Sequence, residues 1–325
     1  MSKDVVLVIG AGGQIGTVLS EALRAVYGVA NVICSDINQP RGSVIGYFEK
    51  LDVVDAKRLK EIVQKYKVTQ IYHLAALLSA TGEKNPQLAW KVNMEGLMNV
   101  LEIARQHNIK KIFHPSSIAV FGGHTPKKNT PQSTILEPET MYGITKKAGE
   151  DLGNYYFAKY GVDVRGIRYP GIISYQSLPG GGTTDYAVDI FHKAIAGEAF
   201  ECFLKEGTQL PMMYMPDAVR ATLELMEAPV EKLSQHYAYN LHAMSFAPEE
   251  IAAEIKKHIP DFTVNYKPDF RQQIAESWIE TIDDSVARSD WGWKHEYDLS
   301  SMTIDMITNL RKLQKTKAYD ETKFL

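Results

Sequence analysis

Two cysteines, Cys34 and Cys202, are all that the 325-residue chain contains, which excludes a disulfide framework and a cysteine-based zinc site. Its nine histidines are scattered, with no HxH or HExxH spacing, and no metal site is expected. No apolar run approaches the roughly 18 residues of a membrane-spanning helix. Neither sign of charge dominates. The 36 Lys and Arg against 39 Asp and Glu leave a net charge of -3, without the positive field that would hold a nucleic-acid backbone. Internal repeats and low-complexity segments are absent too. With 45% hydrophobic and 23% charged residues, the composition is that of an ordinary globular protein, neither disordered nor fibrous. A strand-like run begins directly after Met1-Ser2-Lys3-Asp4, leaving no room for a signal or transit peptide, so a soluble, cytoplasmic protein is expected.

What is present alternates between two patterns. Val5-Val6-Leu7-Val8-Ile9 is a β-branched run closed by glycines, as in a buried parallel strand. Ile15, Leu19, Leu23 and Val26 follow at helical spacing. Further strands are expected at 31–35, 70–74, 111–114 and 162–168, with helices at 56–66, 88–107 and 142–160 between them. Repeated βαβ units imply an α/β fold with a doubly wound parallel sheet and helices on both faces. Beyond Arg168 the pattern loosens. Residues 177–184, rich in Gly, Ser, Thr and Pro, read as a long loop, and helices follow at 216–227, 247–257 and 302–313. The expected organisation is a nucleotide-binding domain of residues 1–172 plus about 207–241, with a smaller, partly interleaved C-terminal domain of about 173–206 plus 242–325.

The first strand ends in Gly10-Ala11-Gly12-Gly13-Gln14-Ile15-Gly16, a GxxGxxG turn. Such a turn between strand and helix brings backbone N–H groups and the positive helix end against a pyrophosphate. Asp36 lies twenty residues beyond Gly16, directly after the second strand, where a carboxylate accepts from both adenosine ribose hydroxyls. It would repel a 2′-phosphate, and no Arg or Lys stands at 37 or 38, so NAD is expected over NADP. Asp52, in Leu51-Asp52-Val53 at the end of the third strand, suits either the adenine amino group or the N-cap of the following helix.

Tyr142 and Lys146 stand at i and i+4 on one helical face, after a strand that ends in Ser116-Ser117. A free tyrosine, with a pKa near ~10, is too weak an acid to serve as a base at neutral pH. A nearby ammonium and an oxidised nicotinamide would favour the phenolate; a shift of ~3 units needs ~4 kcal/mol. Base, activator and an orienting serine hydroxyl are the parts of a hydride transfer between alcohol and ketone.

Taken together, GxxGxxG, Asp36, His73-Leu74-Ala75-Ala76, Ser117-Ile-Ala-Val-Phe-Gly and Tyr142-Gly-Ile-Thr-Lys146 resemble the extended short-chain dehydrogenases/reductases, over essentially the whole chain. Phe121 stands where that family's motif usually has Tyr. Arg168-Tyr169-Pro170-Gly171, Pro179-Gly180-Gly181-Gly182-Thr183-Thr184-Asp185-Tyr186, Ser277-Trp278-Ile279 and Asp290-Trp291-Gly292-Trp293 further resemble the epimerase-like L-threonine 3-dehydrogenases. The resemblance implies a Rossmann-type fold and oxidation of the L-threonine β-hydroxyl to 2-amino-3-oxobutanoate, which decarboxylates or is taken by a partner CoA ligase. It implies Tyr142 as base, Lys146 as its electrostatic partner, and Ser117 or Ser116 as the orienting hydroxyl. Ser79, Ser116, Tyr142, Thr183, Thr184 and Trp278 would touch substrate. NAD would lie against Gly10, Gly13, Gln14, Ile15, Gly16, Asp36, Leu51, Asp52, Val53, Leu74, Ala75, Ala76, Asn93, Tyr142, Lys146, Tyr169 and Ile172. For Asn93, an anchor for nearby backbone and an exposed helix-face amide stay equally open. The helices near 88–107 and 142–160 resemble the pair through which that family dimerises.

Two other readings remain. A nucleotide-sugar epimerase or dehydratase would use the same Tyr and Lys but must also clamp a second pyrophosphate, for which arginine is suited. No Lys or Arg occurs from Tyr169 to His192, so such a clamp would need Arg271 or Arg288 brought in by folding. A non-catalytic NAD-binding regulator shares the fold, and the intact Ser, Tyr and Lys set counts against it.

Overall fold

The computed structural model describes residues 4–39, 45–178, 180 and 182–315. Pro179 and Gly181 of the glycine-rich loop, and Met1 to Lys3, lie outside them. Seven strands open the chain: β1 (Val6–Ile9), β2 (Val32–Asp36), β3 (Tyr47–Lys50), β4 (Gln70–His73), β5 (Lys111–Phe113), β6 (Ser116–Ser117) and β7 (Val164–Arg165). All but β6 form one parallel sheet in the order β3-β2-β1-β4-β5-β7. The order reverses between β1 and β4, and the C-terminal edge of the sheet opens there into a crevice.

Interleaved helices are α1 (Gln14–Tyr27), α2 (Ala56–Tyr66), α3 (Ser79–Lys84), α4 (Pro86–Trp90), α5 (Gly96–His107) and α6 (Met141–Tyr160). β1 is buried on both sides, which is why it reads as an unbroken apolar run. Val6 and Val8 pack with Leu19 and Leu23 of α1, while Leu7 and Ile9 pack with Leu59 and Ile62 of α2 and Leu97 and Leu101 of α5.

Two expected elements are broken. The helix expected over 88–107 is interrupted by a π-helical stretch, Lys91–Glu95, between α4 and α5. The strand expected over 162–168 divides at Gly166, where the chain passes against His114 O and the Tyr237 ring. β8 (Ile167–Tyr169) then leaves the main sheet to lie between β6 and β12 (Tyr239–Asn240). This small sheet carries Ser116 and Ser117 beside α6.

A second three-stranded sheet joins β9 (Gly171–Ile173), β11 (Leu210–Tyr214) and β13 (Met244–Phe246), and a two-stranded one joins β10 (Phe200–Cys202) with β14 (Val264–Tyr266). Along β11, Met212 and Tyr214 enter the core of the C-terminal part, while Met213 and then Met215 enter that of the main sheet. No helix among the described residues is long and apolar enough to cross a membrane.

Candidate active site

The glycine turn joins β1 to α1. Gly10 has φ of +84°, and a Cβ on it would lie 2.6 Å from Ala75 N; one on Gly16 would lie 2.2 Å from Gly10 O. Side chains are excluded at both positions, so strand, turn and helix approach closely. The N-terminus of α1 carries no side-chain cap and no acidic residue in its first turn. Its N–H groups and dipole are left to an anion. Asp36 stands across the turn, its Oδ2 accepting from Gly12 N at 3.0 Å and its Oδ1 from Asn38 N at 3.2 Å. An uncapped helix end beside a carboxylate fits a dinucleotide, with phosphates at the first and ribose at the second.

A cavity of about 240 Å³ runs from the turn to β6, β9 and the start of α6. Of the residues expected from the sequence, Gly10, Gly13, Gln14, Ile15, Gly16, Leu74, Ala76, Ser79, Ser116, Ser117, Tyr142, Lys146, Tyr169, Ile172, Thr183, Thr184 and Trp278 line it. Segments far apart in sequence therefore meet at one place. Leu78, Pro115, Ile118, Pro170, Gly171, Gly182 and Asp185 complete the wall. Among the described residues on the wall, Lys146 is the one cation. Arg271 pairs with Asp269 over the Phe203 ring, and Arg288 pairs with Asp284, both off the cavity wall.

The other expected residues lie off the wall. Ala75 packs against Gly10, and the Leu51 and Val53 side chains are buried in the core. Asp52 Oδ1 accepts from its near neighbour Val54 N at 3.1 Å, but the cap of α2 is Asp55, which accepts from Arg58 N at 2.9 Å. The capping alternative for Asp52 is thereby corrected. Asn93 is buried rather than exposed. It sits on the π-helical stretch, accepts from Leu77 N at 2.8 Å, and donates to Leu77 O at 3.2 Å and Thr145 Oγ1 at 3.0 Å.

Tyr142 and Lys146 lie in the first turns of α6, whose cap Thr140 accepts from Gly143 N at 3.0 Å. Lys146 Nζ donates to Pro115 O at 2.7 Å and lies 5.6 Å from the Tyr142 ring centre. Burial pushes the Tyr142 phenol up to about 12, opposed by its hydrogen bond with Ser117. Burial also pulls the Lys146 ammonium down to about 7. Both departures run against the expected phenolate–ammonium pair, because in this desolvated corner either charge alone is disfavoured.

The two serines diverge. Ser117 neighbours the Tyr142 hydroxyl and accepts from Ala119 N at 3.2 Å. Ser116 Oγ instead donates to Glu150 Oε1 at 2.6 Å. Glu150 is itself buried and paired with Arg168 at 2.7 Å, and Arg168 also donates to Asn240 Oδ1 and Gln132 O, both at 3.0 Å. Behind this layer the His73 and His114 rings stack 5.2 Å apart, held neutral by burial and by the Lys146 charge. Thr183 Oγ1 is buried without a partner.

Pro115, Glu150 and Arg168 also belong to the site, though the sequence assigns none of them a role. Glu150 did leave a signal, since it stands eight residues after Tyr142 on the same helical face. The Pro115 carbonyl left none.

The model for the NAD dependent epimerase/dehydratase family matches residues 6–241. The chain belongs to this family. The mitochondrial L-threonine 3-dehydrogenase of Bos taurus is 50% identical over 305 residues, covering 93% of this chain and 81% of that protein. Among solved structures, the GalE-like L-threonine dehydrogenase of Cupriavidus necator in its holo form superposes with a TM-score of 0.93 at 55% identity, over 94% of this chain and 99% of that one. A monomeric L-threonine 3-dehydrogenase from a metagenome, in its apo form, gives 0.93 at 52% identity over 95% and 99%. The family's cofactor is the one for which the turn and Asp36 are shaped.

Proposed function

We propose that this protein is an NAD-dependent L-threonine 3-dehydrogenase that oxidises the β-hydroxyl of L-threonine to 2-amino-3-oxobutanoate. The carrying observation is a cavity that joins the dinucleotide turn to Ser117, Tyr142 and Lys146, and on whose wall no arginine stands among the described residues. A sugar nucleotide would need its second pyrophosphate neutralised, and the only cation among the described wall residues is Lys146, which the hydride transfer itself requires beside Tyr142. A small zwitterion asks only for hydroxyls and backbone groups. The names of the relatives support the same substrate.

When bound, NAD supplies the hydride acceptor and a positive ring that favours the phenolate. Tyr142 Oη takes the proton of the substrate hydroxyl, and Ser117 Oγ holds the same oxygen. Ser117 is preferred to Ser116 because the latter is committed to Glu150. Lys146 holds a nicotinamide ribose hydroxyl and balances the phenolate. The unpartnered Thr183 hydroxyl, with Ser79 and Thr184, receives the amino acid's polar groups, and Trp278 covers them. Asp36 takes the adenosine ribose, which favours NAD over NADP. Asn93 acts through the Leu77 backbone that it anchors on both sides.

Residues 1–172 plus about 207–241 would then hold cofactor, and about 173–206 plus 242–325 would close over substrate. A homodimer through α4, α5 and α6 is supported by the exposed apolar side chains of Leu88, Trp90, Met98, Ile144 and Tyr155. The cytoplasm suits two buried free thiols, and the product suits a CoA ligase as its consumer.

The test is NADH formation by purified protein with NAD and L-threonine, beside D-threonine, L-serine and UDP-glucose, the last followed by chromatography for UDP-galactose. L-threonine is expected to be oxidised, and Tyr142→Phe to turn over at least ~100-fold more slowly with NAD affinity kept. Conversion of the sugar nucleotide without oxidation of any amino acid would discard the substrate assignment.

A further inference from the structure

Glu83 is exposed near the end of α3, yet its Oε1 accepts the Met141 N–H at 2.7 Å. Met141 opens α6 and immediately precedes Tyr142. Its N–H is among those that a helix leaves unsatisfied, and the cap Thr140 serves another, that of Gly143. At the opposite end of α3 lies Ser79, buried and on the cavity wall. One short helix thus carries a cavity residue at its start and a clamp on the tyrosine turn at its finish.

A second clamp works from the other side. Asn93 grips both backbone groups of Leu77, just before α3, and donates to Thr145 Oγ1, which in turn donates to Tyr142 O at 2.8 Å. Between the clamps α3 backs closely onto α6, since a Cβ on Gly82 would lie 3.9 Å from Tyr142 N.

We infer that Glu83 is a positioning residue of the reaction, holding α3, and with it Ser79, in register with Tyr142 so that substrate and base meet. The inference rests on the proposed roles of Tyr142 as base and Ser79 as substrate contact. Glu83 touches neither reacting atom and acts through the backbone of Met141. Its carboxylate on a helix N–H is a charge-assisted bond of the stronger kind. Reacting groups displaced by ~1 Å can lose ~100-fold in rate, so loosening this contact should be visible in turnover.

Glu83→Ala removes the acceptor, whereas Glu83→Gln keeps a carbonyl oxygen of the same reach. Two measurements decide. Hydrogen–deuterium exchange of the cofactor-free protein reads the clamp directly. The alanine variant should exchange at least ~5-fold faster over 79–84 and 141–145, with the glutamine variant near wild type. Steady-state kinetics at saturating NAD read its consequence. The alanine variant should lose ~10-fold in kcat/KM for L-threonine at unchanged NAD Kd, and glutamine should restore it to within ~2-fold. Wild-type exchange and kinetics in the alanine variant overturn the role. So does an equal loss of NAD affinity, or a glutamine variant as impaired as alanine. A wild type inert towards L-threonine would overturn the functional reading and this role with it. An active wild type beside an indifferent alanine variant would overturn this role alone, and the exchange data are independent of substrate.

Discussion

Tyr142 and Lys146 share a corner of α6, and the buried carboxylate one turn further along the helix, Glu150, is already paired with Arg168. The lysine is held at about 7, below its ordinary 10.5, because burial penalises the ammonium. Its folded pKa lies below the unfolded one, so between those values the unfolded chain binds more protons and stability rises with pH. Below about 7 the folded protein carries the full cost of the buried charge. Lys146→Met is therefore expected to raise the Tm of the cofactor-free protein by roughly 2–5 °C at neutral pH and below. That gain should shrink as the pH climbs from about 7 towards 10.5, in thermal melts across a pH series. A difference independent of pH would refute the assignment. The identities of base and lysine were readable in the i, i+4 spacing after a nucleotide turn. Their protonation was not, because it depends on how much water the fold removes.

At the scale of elements, α6 presents Tyr142, Lys146 and Glu150 along one face, and the buried ion pair with Arg168 ties that face to β8. Breaking such a pair from one side leaves an uncompensated charge in the interior. Arg168→Leu should cost about 3–5 kcal/mol by urea denaturation, and adding Glu150→Leu should recover part of the loss. A double variant worse than the single would count against this account. Helices α2 and α6 fall within a residue of their expected bounds, since each carries its cap locally, Asp55 before the first and Thr140 before the second. The breaks do not. The strand that divides at Gly166 reads as continuous, and only the His114 and Tyr237 contacts redirect its second half to the sheet that orients the serines. Likewise the π-helical stretch that turns Asn93 towards Leu77 leaves no mark in helical periodicity.

For the molecule as a whole, α4, α5 and α6 keep Leu88, Trp90, Met98, Ile144 and Tyr155 exposed, and Trp90 and Met98 line a groove together with Val54, Met94 and Leu152. Sedimentation should show a dimer for the wild type and a monomer for a Trp90→Arg/Met98→Arg variant whose circular dichroism is unchanged. A monomeric wild type, as one metagenomic relative is described, would remove the dimer. The sequence alone determined the parallel sheet, the glycine turn with Asp36, and the Tyr–Lys pair. These depend on residue type and on spacings of a turn or a strand, which the chain carries wherever it folds. Tertiary structure alone decided which serine faces Tyr142, which carbonyl holds Lys146, that Arg271 and Arg288 stay off the cavity wall, and that Glu83 reaches Met141. Each of these joins segments whose separation in space is settled only when the two parts of the chain pack, and nothing local encodes that distance.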